Sequence, residues 1–324
     1  MAGAAWASVH AQPAWALALA AAGLLVSARA AARLALWLYA AFLRPARPLR
    51  RRYGTWAVVT GATDGIGRAL AVRLAAADLG VVLVGRSAGK LADAAAEVRA
   101  RHPGAPVRTF VLDLAADDMA SRVGALRELV GGLDVGVLVN SAGACYPYAR
   151  YFHEVDEALT RNLVRVNVEA LTRVTHAVIP GMVERGRGAV VNIGSGAASI
   201  VPSDPLYAVY AATKAYVDQF SRSLYVEYRS KGIDVQCQVP MYVATKMASI
   251  RNPTFFAPSP EKYAGAAVRY IGYEPRCTPY WPHAVAWLLI SLLPEPLADR
   301  IILDMSLDVR AKGRAKDARK NKAR

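Results

Sequence analysis

From Trp56 onward, short hydrophobic runs alternate with longer stretches of helical character. Six runs are rich in β-branched residues: WAVVT (56–60), VVLVG (81–85), VRTFVLDL (107–114), VGVLVN (135–140), AVVNIGS (189–195) and DVQCQVP (234–240). Nearly continuous hydrophobicity is typical of parallel strands that are buried on both faces, with helices as the crossovers between them. The pattern predicts an α/β fold with a doubly wound parallel sheet.

The N-terminal region has a different pattern, because residues 13–43 are almost wholly apolar and are interrupted only by Ser27, Arg29 and Arg33. About 20 apolar residues span a bilayer, and the two arginines are tolerable near an interface or on a helix that lies along the membrane surface. We therefore expect a membrane-anchor helix. A cleaved signal peptide is the alternative, which the absence of Lys or Arg before the apolar run disfavours.

The formal net charge of +15 is concentrated near the two ends of the 324-residue chain. Residues 44–52 contain five arginines and no acid, and residues 308–324 contain eight Lys or Arg against two Asp. Because the middle of the chain is close to neutral, we expect no nucleic-acid partner. The positive-inside rule keeps the first cluster in the cytoplasm, so the following domain is expected to face the cytosol.

Two further features concern the C-terminal half and the cysteines. Residues 281–297 are apolar but short and bounded by prolines, so a buried or interfacial helix is at least as good an interpretation as a membrane contact. The three cysteines, Cys145, Cys237 and Cys277, are widely spaced, and we expect reduced thiols and no metal site.

A glycine-rich turn follows the first predicted strand. TGATDGIGRAL places glycines at 61, 65 and 67, directly before a predicted helix. Glycines let the backbone approach a pyrophosphate, and a helix N-terminus offers it unpaired N–H groups, so this position predicts a dinucleotide-binding fold of Rossmann type.

The second strand is followed by Arg86 and Lys90, where a NAD-binding protein would place Asp or Glu. A guanidinium there suits the 2′-phosphate of NADP, so NADPH/NADP+ is the expected cofactor. The alternative for Arg86 is an ordinary solvated loop arginine.

Tyr210 and Lys214 lie four residues apart, which places them on one face of a helix, whereas Tyr207 is two turns from the lysine. A tyrosine and a lysine one turn apart are common by accident. However, ligands bind at the carboxyl ends of the strands in open α/β sheets, where Asp113, Asn140 and Ser195 are also expected. The convergence of these residues favours an active site.

With these motifs the sequence resembles the short-chain dehydrogenase/reductase family over residues 53–275. The matching features are the T-G-x-x-x-G-x-G turn, N-S-A-G at 140–143, an Asn in the next helix, a Ser after the fifth strand and Y-x-x-x-K. The resemblance implies the catalytic residues Asn167, Ser195, Tyr210 and Lys214. It also implies a cofactor site formed by Gly61, Thr63, Asp64, Gly65, Ile66, Gly67, Arg86, Lys90, Asp113, Asn140, Tyr210, Lys214, Val243 and Thr245.

Two serines are candidates for the catalytic serine. Ser195 lies 15 residues before Tyr210 and Ser199 lies 11 before it, and the usual family spacing falls between the two. Ser195 is preferred because it is expected at the end of a strand, and an ordinary turn serine is the remaining alternative.

The expected chemistry is ketone reduction with Tyr210 as the general acid. An ammonium about 4 Å from the phenol, at an effective dielectric near 20, is worth roughly 4 kcal/mol, which would lower the pKa of Tyr210 by about three units. The Ser195 hydroxyl would hydrogen-bond the same substrate oxygen. The family resemblance further implies that Lys214 holds the nicotinamide ribose and that Asn167 supports a water relay.

Within the family, segments such as GYEPRCTPYWPHA are similar to the very-long-chain 3-oxoacyl-CoA reductases of fatty acid elongation. This resemblance implies a 3-oxoacyl-CoA substrate, other elongase subunits as partners and the endoplasmic reticulum membrane as location. The terminal KNKAR is similar to a dilysine retrieval signal. A 17β-hydroxysteroid dehydrogenase is the alternative enzyme, and a catalytically silent elongase subunit is the non-enzymatic one.

We therefore expect three segments along the chain. Residues 1–52 form the membrane anchor and basic linker, residues 53–275 form the NADP-binding domain, and residues 276–324 form an apolar patch with a basic tail.

Overall fold

A computed structural model of the chain describes residues 12–322 and divides it into two compact units, Met1–Pro45 and Ala46–Arg324. In the first unit, helix α1 (Ala14–Leu38) continues as a π-helix (Tyr39–Leu43). Among the described residues, this helix alone is long and apolar enough to cross a membrane, by length and composition. The predicted anchor helix lies here. Residues 1–11 of the expected anchor segment fall outside the described part of the chain.

The second unit contains a seven-stranded sheet in the order β3-β2-β1-β4-β5-β6-β7, in which every neighbouring pair is parallel. The strands are β1 (Trp56–Thr60), β2 (Gly80–Gly85), β3 (Val107–Val111), β4 (Val135–Asn140), β5 (Gly188–Ile193), β6 (Ile233–Gln238) and β7 (Arg276–Cys277). The predicted doubly wound parallel sheet is confirmed.

Eleven α-helices are described in this unit. They are α2 (Leu49–Tyr53), α3 (Gly65–Ala75), α4 (Ala88–Arg101), α5 (Met119–Gly131), α6 (Glu157–Val164), α7 (Leu171–Glu184), α8 (Gly196–Ser199), α9 (Ala208–Arg229), α10 (Pro260–Tyr270), α11 (Trp281–Ser291) and α12 (Glu295–Lys322). A 3-10 helix (Phe152–Glu154) and a π-helix (Arg165–Ala170) lie between β4 and α7.

The core lies on both faces of the sheet because β1, β2, β4 and β5 are apolar on both sides. One buried cluster joins the sheet to α3, α4 and α10, and a second joins its opposite face to α5, α7 and α9. The strand order reverses between β1 and β4, and the register aligns Thr60 with Asn140 and Asn140 with Asn192. The crevice at this reversal is where ligands bind in such sheets.

One expectation about an individual element is wrong, and two further features of the structure were not predicted. The run at 107–114 is not buried on both faces, because β3 ends at Val111 and is an edge strand with exposed side chains. The two-residue strand β7 has no hydrophobic run that predicts it. The expected basic tail is largely helical, since α12 continues to Lys322. The domain boundaries given above stay predictions.

Candidate active site

Helix α9 carries the tyrosine and lysine of the Y-x-x-x-K motif. Lys214 is only 7% exposed, and its ammonium donates a hydrogen bond to the Ile193 carbonyl at 2.9 Å. The Lys214 Nζ lies 5.9 Å from the centroid of the Tyr210 ring. The hydrogen bond to the last residue of β5 therefore fixes the Lys214 ammonium beside the Tyr210 ring.

Ser195 lies directly after β5 and is the N-cap of the short helix α8, where its hydroxyl accepts a hydrogen bond from the Ala197 amide at 3.2 Å. The same side chain interacts with the Tyr210 phenol, and this interaction lowers the pKa of Tyr210 against the larger effect of burial. The Ser199 hydroxyl is buried and has no hydrogen-bond partner within residues 12–322. These contacts support Ser195 over Ser199 as the catalytic serine, and that assignment stays a prediction.

Asn167 lies in the π-helix and holds the loop after β4. Its side-chain oxygen accepts from the Ala144 amide at 2.8 Å, and its amide nitrogen donates to the Ala144 carbonyl and the Thr213 hydroxyl, both at 2.9 Å. The side chain is 1% exposed. Because Thr213 precedes Lys214 on α9, Asn167 ties the β4 loop to the catalytic helix. We call Asn167, Ser195, Tyr210 and Lys214 the catalytic cluster.

The electrostatics of this cluster differ from the expectation. Burial raises the pKa of Tyr210 above its ordinary value, and the negative forms of Cys145 and Asp204 act in the same direction. Burial also lowers the pKa of Lys214 to about 8. The expected decrease in the pKa of Tyr210 is therefore wrong, since desolvation of the phenol is the largest effect on this pKa.

Asp204 and Cys145 lie near the catalytic cluster and were not identified from the sequence. Burial raises the pKa of Asp204 to about 6 and that of Cys145 to about 11. The Asp204 carboxylate has no hydrogen-bond or ion-pair partner within residues 12–322, whereas its carbonyl accepts from the Tyr207 amide. No motif marks Asp204, because its proximity to Tyr210 depends on how the loop before α9 folds.

Tyr207 is the residue immediately before α9 and packs against Tyr146. Its ring lies 5.4 Å from that of Tyr146, with the two planes tilted by 35°. Burial raises the pKa of Tyr207 as well. The geometry supports a packing or cleft-lining role for this tyrosine.

The glycine turn between β1 and α3 closely approaches the β4 loop. Gly61 has a φ of +65°, and a Cβ there would lie 2.8 Å from the Ala142 Cα. A Cβ on Gly67 would overlap the Gly61 carbonyl oxygen, and one on Gly65 would lie 3.2 Å from the Thr245 methyl group. Glycine is therefore favoured at these three positions, and the N-terminus of α3 beside them suits a pyrophosphate.

Arg86 and Lys90 are both exposed beside the carboxyl end of β2. The Arg86 guanidinium has no hydrogen-bond or ion-pair partner among residues 12–322, and Lys90 lies in the first turn of α4, which Ser87 caps. We call Arg86 and Lys90 the cofactor rim. Two unpaired cations at this place suit a 2′-phosphate.

Asp64 is the N-cap of α3 and accepts from the Gly65 amide at 2.8 Å. Lys246 forms an ion pair with it at 2.8 Å. Burial raises the pKa of Asp64, but the hydrogen bonds from Lys246 and Gly65 outweigh it, so the pKa lies below its ordinary value. Lys246 was missed from the sequence, because its loop follows β6, far along the chain.

The other expected cofactor residues occupy several different environments. Asp113 accepts from the Ala115 amide just after β3, and Thr63 packs against Gly85 at the end of β2. Val243 is buried in the core cluster, and Ile66 on α3 packs against the same cluster. Thr245 approaches Gly65, and its hydroxyl accepts from the Ala248 amide.

Asn140 is buried, and its amide nitrogen donates to Thr175 and Asn192, both at 2.8 Å. The described contacts of its amide nitrogen thus stabilise the sheet, and a direct contact of Asn140 with the cofactor stays a prediction. Within residues 12–322, no group of three or more His, Cys, Asp or Glu could hold a metal ion.

Comparison with known proteins adds to this geometry. Residues 55–254 match the family model described as short chain dehydrogenase. The chain is 48% identical over 275 residues to a very-long-chain 3-oxoacyl-CoA reductase-like protein of Arabidopsis thaliana, covering 84% of this chain and 87% of the relative. It is 40% identical to the human very-long-chain 3-oxoacyl-CoA reductase, covering 80% and 81%.

Two further comparisons bear on activity and cofactor. An inactive hydroxysteroid dehydrogenase-like protein of Rattus norvegicus is 41% identical, with 76% of this chain and 74% of the relative covered. A short-chain dehydrogenase from Sphingobium yanoikuyae, solved in complex with NADPH, superposes with a TM-score of 0.62 at 29% identity, covering 74% of this chain and 97% of that one.

The family predicted from the motifs is confirmed by the matched model and by the extent and identity of these relatives. The chain belongs to the short-chain dehydrogenase family of oxidoreductases.

Proposed function

We propose that this protein reduces very-long-chain 3-oxoacyl-CoA to 3-hydroxyacyl-CoA, with NADPH as the reductant, in fatty acid elongation. The observation that carries the chemistry is the Tyr210 phenol, which interacts with the Ser195 side chain and has the buried Lys214 ammonium 5.9 Å from its ring centroid on the same helix face. The substrate class rests on the relatives named very-long-chain 3-oxoacyl-CoA reductase, which align over about four-fifths of the chain.

In this mechanism the substrate carbonyl oxygen lies between the Ser195 hydroxyl and the Tyr210 phenol. Because burial raises the pKa of Tyr210, the phenol stays protonated at neutral pH and donates only when negative charge develops on the oxygen. Ser195 donates a hydrogen bond to the same oxygen, and the Lys214 ammonium favours the tyrosinate that remains. Asn167 positions the β4 loop and α9 relative to each other.

NADPH supplies the hydride when it is bound. The glycine turn at 61–67 fits its pyrophosphate because side chains there would clash with the backbone, and the exposed Arg86 and Lys90 suit its 2′-phosphate. The preference for NADPH over NADH is thus assigned to the cofactor rim.

We further infer that the protein is anchored in the endoplasmic reticulum membrane with its catalytic domain in the cytosol, where other elongase subunits would be its partners. The apolar helix Ala14–Leu43 and the arginines that follow it support this inference. Protease added to sealed microsomes should reach the catalytic domain. Complete protection of peptides containing Tyr210 until detergent is added would contradict the orientation.

A ketosteroid reductase is the second candidate, and a silent subunit is the third, because one relative is named an inactive hydroxysteroid dehydrogenase-like protein. The presence of all four residues of the catalytic cluster favours activity.

The discriminating experiment measures NADPH oxidation by the membrane-reconstituted protein with 3-oxoacyl-CoAs of graded chain length and, in parallel, a 17-ketosteroid. The proposal predicts turnover of the long acyl-CoAs at a kcat/KM well above that of the steroid. Preference for the steroid would support the second candidate, and no oxidation with any substrate would support the third.

A further inference from the structure

Large apolar side chains are exposed along the last two helices of the protein. In α11 and the link that follows it, the exposed residues are Leu288, Leu289, Leu292 and Leu293, and on α12 they are Leu297, Ile301, Met305 and Val309. We call these eight residues the C-terminal apolar surface. Soluble monomers rarely expose large contiguous apolar patches, so such a concentration indicates a binding surface.

The orientation of α12 is fixed by contacts on its other side. Ser306 is buried, Tyr148 donates a hydrogen bond to Asp317 at 2.8 Å, and Arg310 forms an ion pair with Glu154. The four apolar residues of α12 recur every four positions, which places neighbouring ones on the same side of the helix. The packing of α12 against the domain therefore leaves these side chains directed outward.

Aromatic contacts connect the start of α11 with the loop between β6 and α10, residues 239–259. The Phe255 ring lies 5.4 Å from that of Trp281 and 5.1 Å from that of Phe256, and Met247 in the same loop is exposed. This loop also contains Tyr242, which contributes to the raised pKa of Tyr210. Exposed apolar groups thus occur on α11, on α12 and on a loop that reaches the catalytic cluster.

The charges around this surface indicate its partner. Residues 284–294 contain no charged side chain, whereas residues 310–322 contain seven Lys or Arg against one Asp. A leucine-rich surface next to a cationic helix end is typical of segments that lie on anionic membranes. A second copy of the chain would bring more positive charge to this end instead of the negative charge that the basic side chains require.

We propose that the C-terminal apolar surface rests on an anionic lipid bilayer, with the basic end of α12 against the phosphate headgroups. This contact is separate from the N-terminal helix and goes beyond the proposed reaction, since it does not depend on which ketone is reduced. It would hold the loop at 239–259 close to lipid, where a long acyl chain dissolves.

The test uses the full chain reconstituted into phosphatidylcholine vesicles with and without phosphatidylserine. The photo-crosslinking residue benzoylphenylalanine replaces Leu292 or Met305, and in a matched control it replaces Val226 on α9. Leu292 and Val226 are 71% and 76% exposed, so the control measures the lipid labelling that tethering by the N-terminal helix alone produces. NADPH binding and the thermal unfolding midpoint show that each variant is folded.

The proposal predicts severalfold more crosslinking to lipid at Leu292 and Met305 than at Val226. Equal lipid crosslinking at the three positions would overturn it, and so would crosslinking of Leu292 and Met305 mainly to a second copy of the chain.

A charge-reversal variant tests the basic end separately. Lys316→Glu, Arg319→Glu and Lys320→Glu together should abolish the increase in lipid crosslinking at Met305 that phosphatidylserine causes, while crosslinking in pure phosphatidylcholine persists. An unchanged phosphatidylserine effect in this variant would contradict the headgroup contact.

Discussion

The catalytic cluster and the cofactor rim both lie at the carboxyl ends of the strands, but they differ in burial and in hydrogen bonding. Lys214 and Asn167 are buried and hydrogen-bonded to main-chain groups at 2.8–2.9 Å. Arg86 and Lys90 are exposed, and within residues 12–322 the Arg86 guanidinium has no partner. The protein itself completes the first region, whereas a phosphate is needed to complete the second.

This difference predicts which property of the enzyme, turnover or cofactor choice, mutations in each region should change. A preorganised cluster stabilises developing charge without reorganisation, so loss of the Tyr210 hydroxyl should lower turnover and leave cofactor affinity almost unchanged. An exposed cation contributes only when its ligand is bound, so changes at the rim should alter cofactor choice and leave turnover at saturation almost unchanged.

Tyr210→Phe should have the largest effect. Because the phenol is the proposed proton donor, its loss should lower kcat by about 10²- to 10⁴-fold. The measurement is NADPH oxidation at saturating substrate. Tyr207→Phe is the matched control and should keep most of the activity, since Tyr207 packs on Tyr146, whereas the Lys214 ammonium lies beside the Tyr210 ring. The reverse ranking of these two variants would refute the assignment.

Lys214→Met should lower kcat by about 10²- to 10³-fold, because a buried positive charge beside the tyrosine is lost. It should also stabilise the fold near pH 7. The pKa of Lys214 is depressed to about 8, so keeping the buried ammonium charged costs stability below that pH, and this cost disappears as the pH rises toward the ordinary value of 10.5.

Thermal unfolding of the wild type and Lys214→Met as a function of pH measures this effect. The gain in stability should be greatest below pH 8 and should shrink at higher pH. A variant that is less stable at every pH would show that the hydrogen bond to Ile193 outweighs the desolvation of the ammonium.

Arg86→Asp should reduce the preference for NADPH over NADH by about 10- to 100-fold, which corresponds to one charge-assisted contact with the 2′-phosphate. The ratio of kcat/KM for the two cofactors measures it. Arg222→Asp on α9 is the control for the change in net charge, because Arg222 is also exposed. Equal use of both cofactors by the wild type would remove the basis for the prediction.

Asp204→Asn should give the smallest effect, a stabilisation of about 1 to 3 kcal/mol at pH 7. The pKa of Asp204 is raised from 3.8 to about 6 by burial, so the wild type loses stability as the pH rises through this interval and its carboxylate forms. Chemical denaturation at several pH values checks the sign. The gain should vanish near pH 4, and a gain that is constant with pH would exclude the titration as its cause.

The sheet could largely be predicted from the sequence because its central strands are buried on both faces. The run at 56–60 coincides with β1 and the run at 135–140 with β4. The sequence predicted β3 but not its end or its exposure, since the hydrophobic run continues beyond the last paired residue, and it did not predict β7, which has only two residues. Edge strands need little hydrophobic sequence, so hydrophobic pattern alone could not define them.

Within the site, residues on regular elements were easier to predict than residues on loops. The sequence predicted that Tyr210 and Lys214 share one helix face, because both lie on the regular helix α9. The Asp64–Lys246 ion pair and the burial of Asp204 depend on loops that are distant in sequence or irregular, and no periodicity encodes them. The pKa of Tyr210 was predicted in the wrong direction because the sequence does not reveal how completely the phenol is buried.

The most direct test of the contrast between the two regions is a fluorescence titration of NADPH against the Tyr210→Phe and Arg86→Asp proteins. We expect Tyr210→Phe to bind NADPH as the wild type does and Arg86→Asp to bind it about 10- to 100-fold more weakly. An equal loss of affinity in both variants would refute the separation of the two regions, because the Tyr210 hydroxyl would then contribute to cofactor binding as much as Arg86 does.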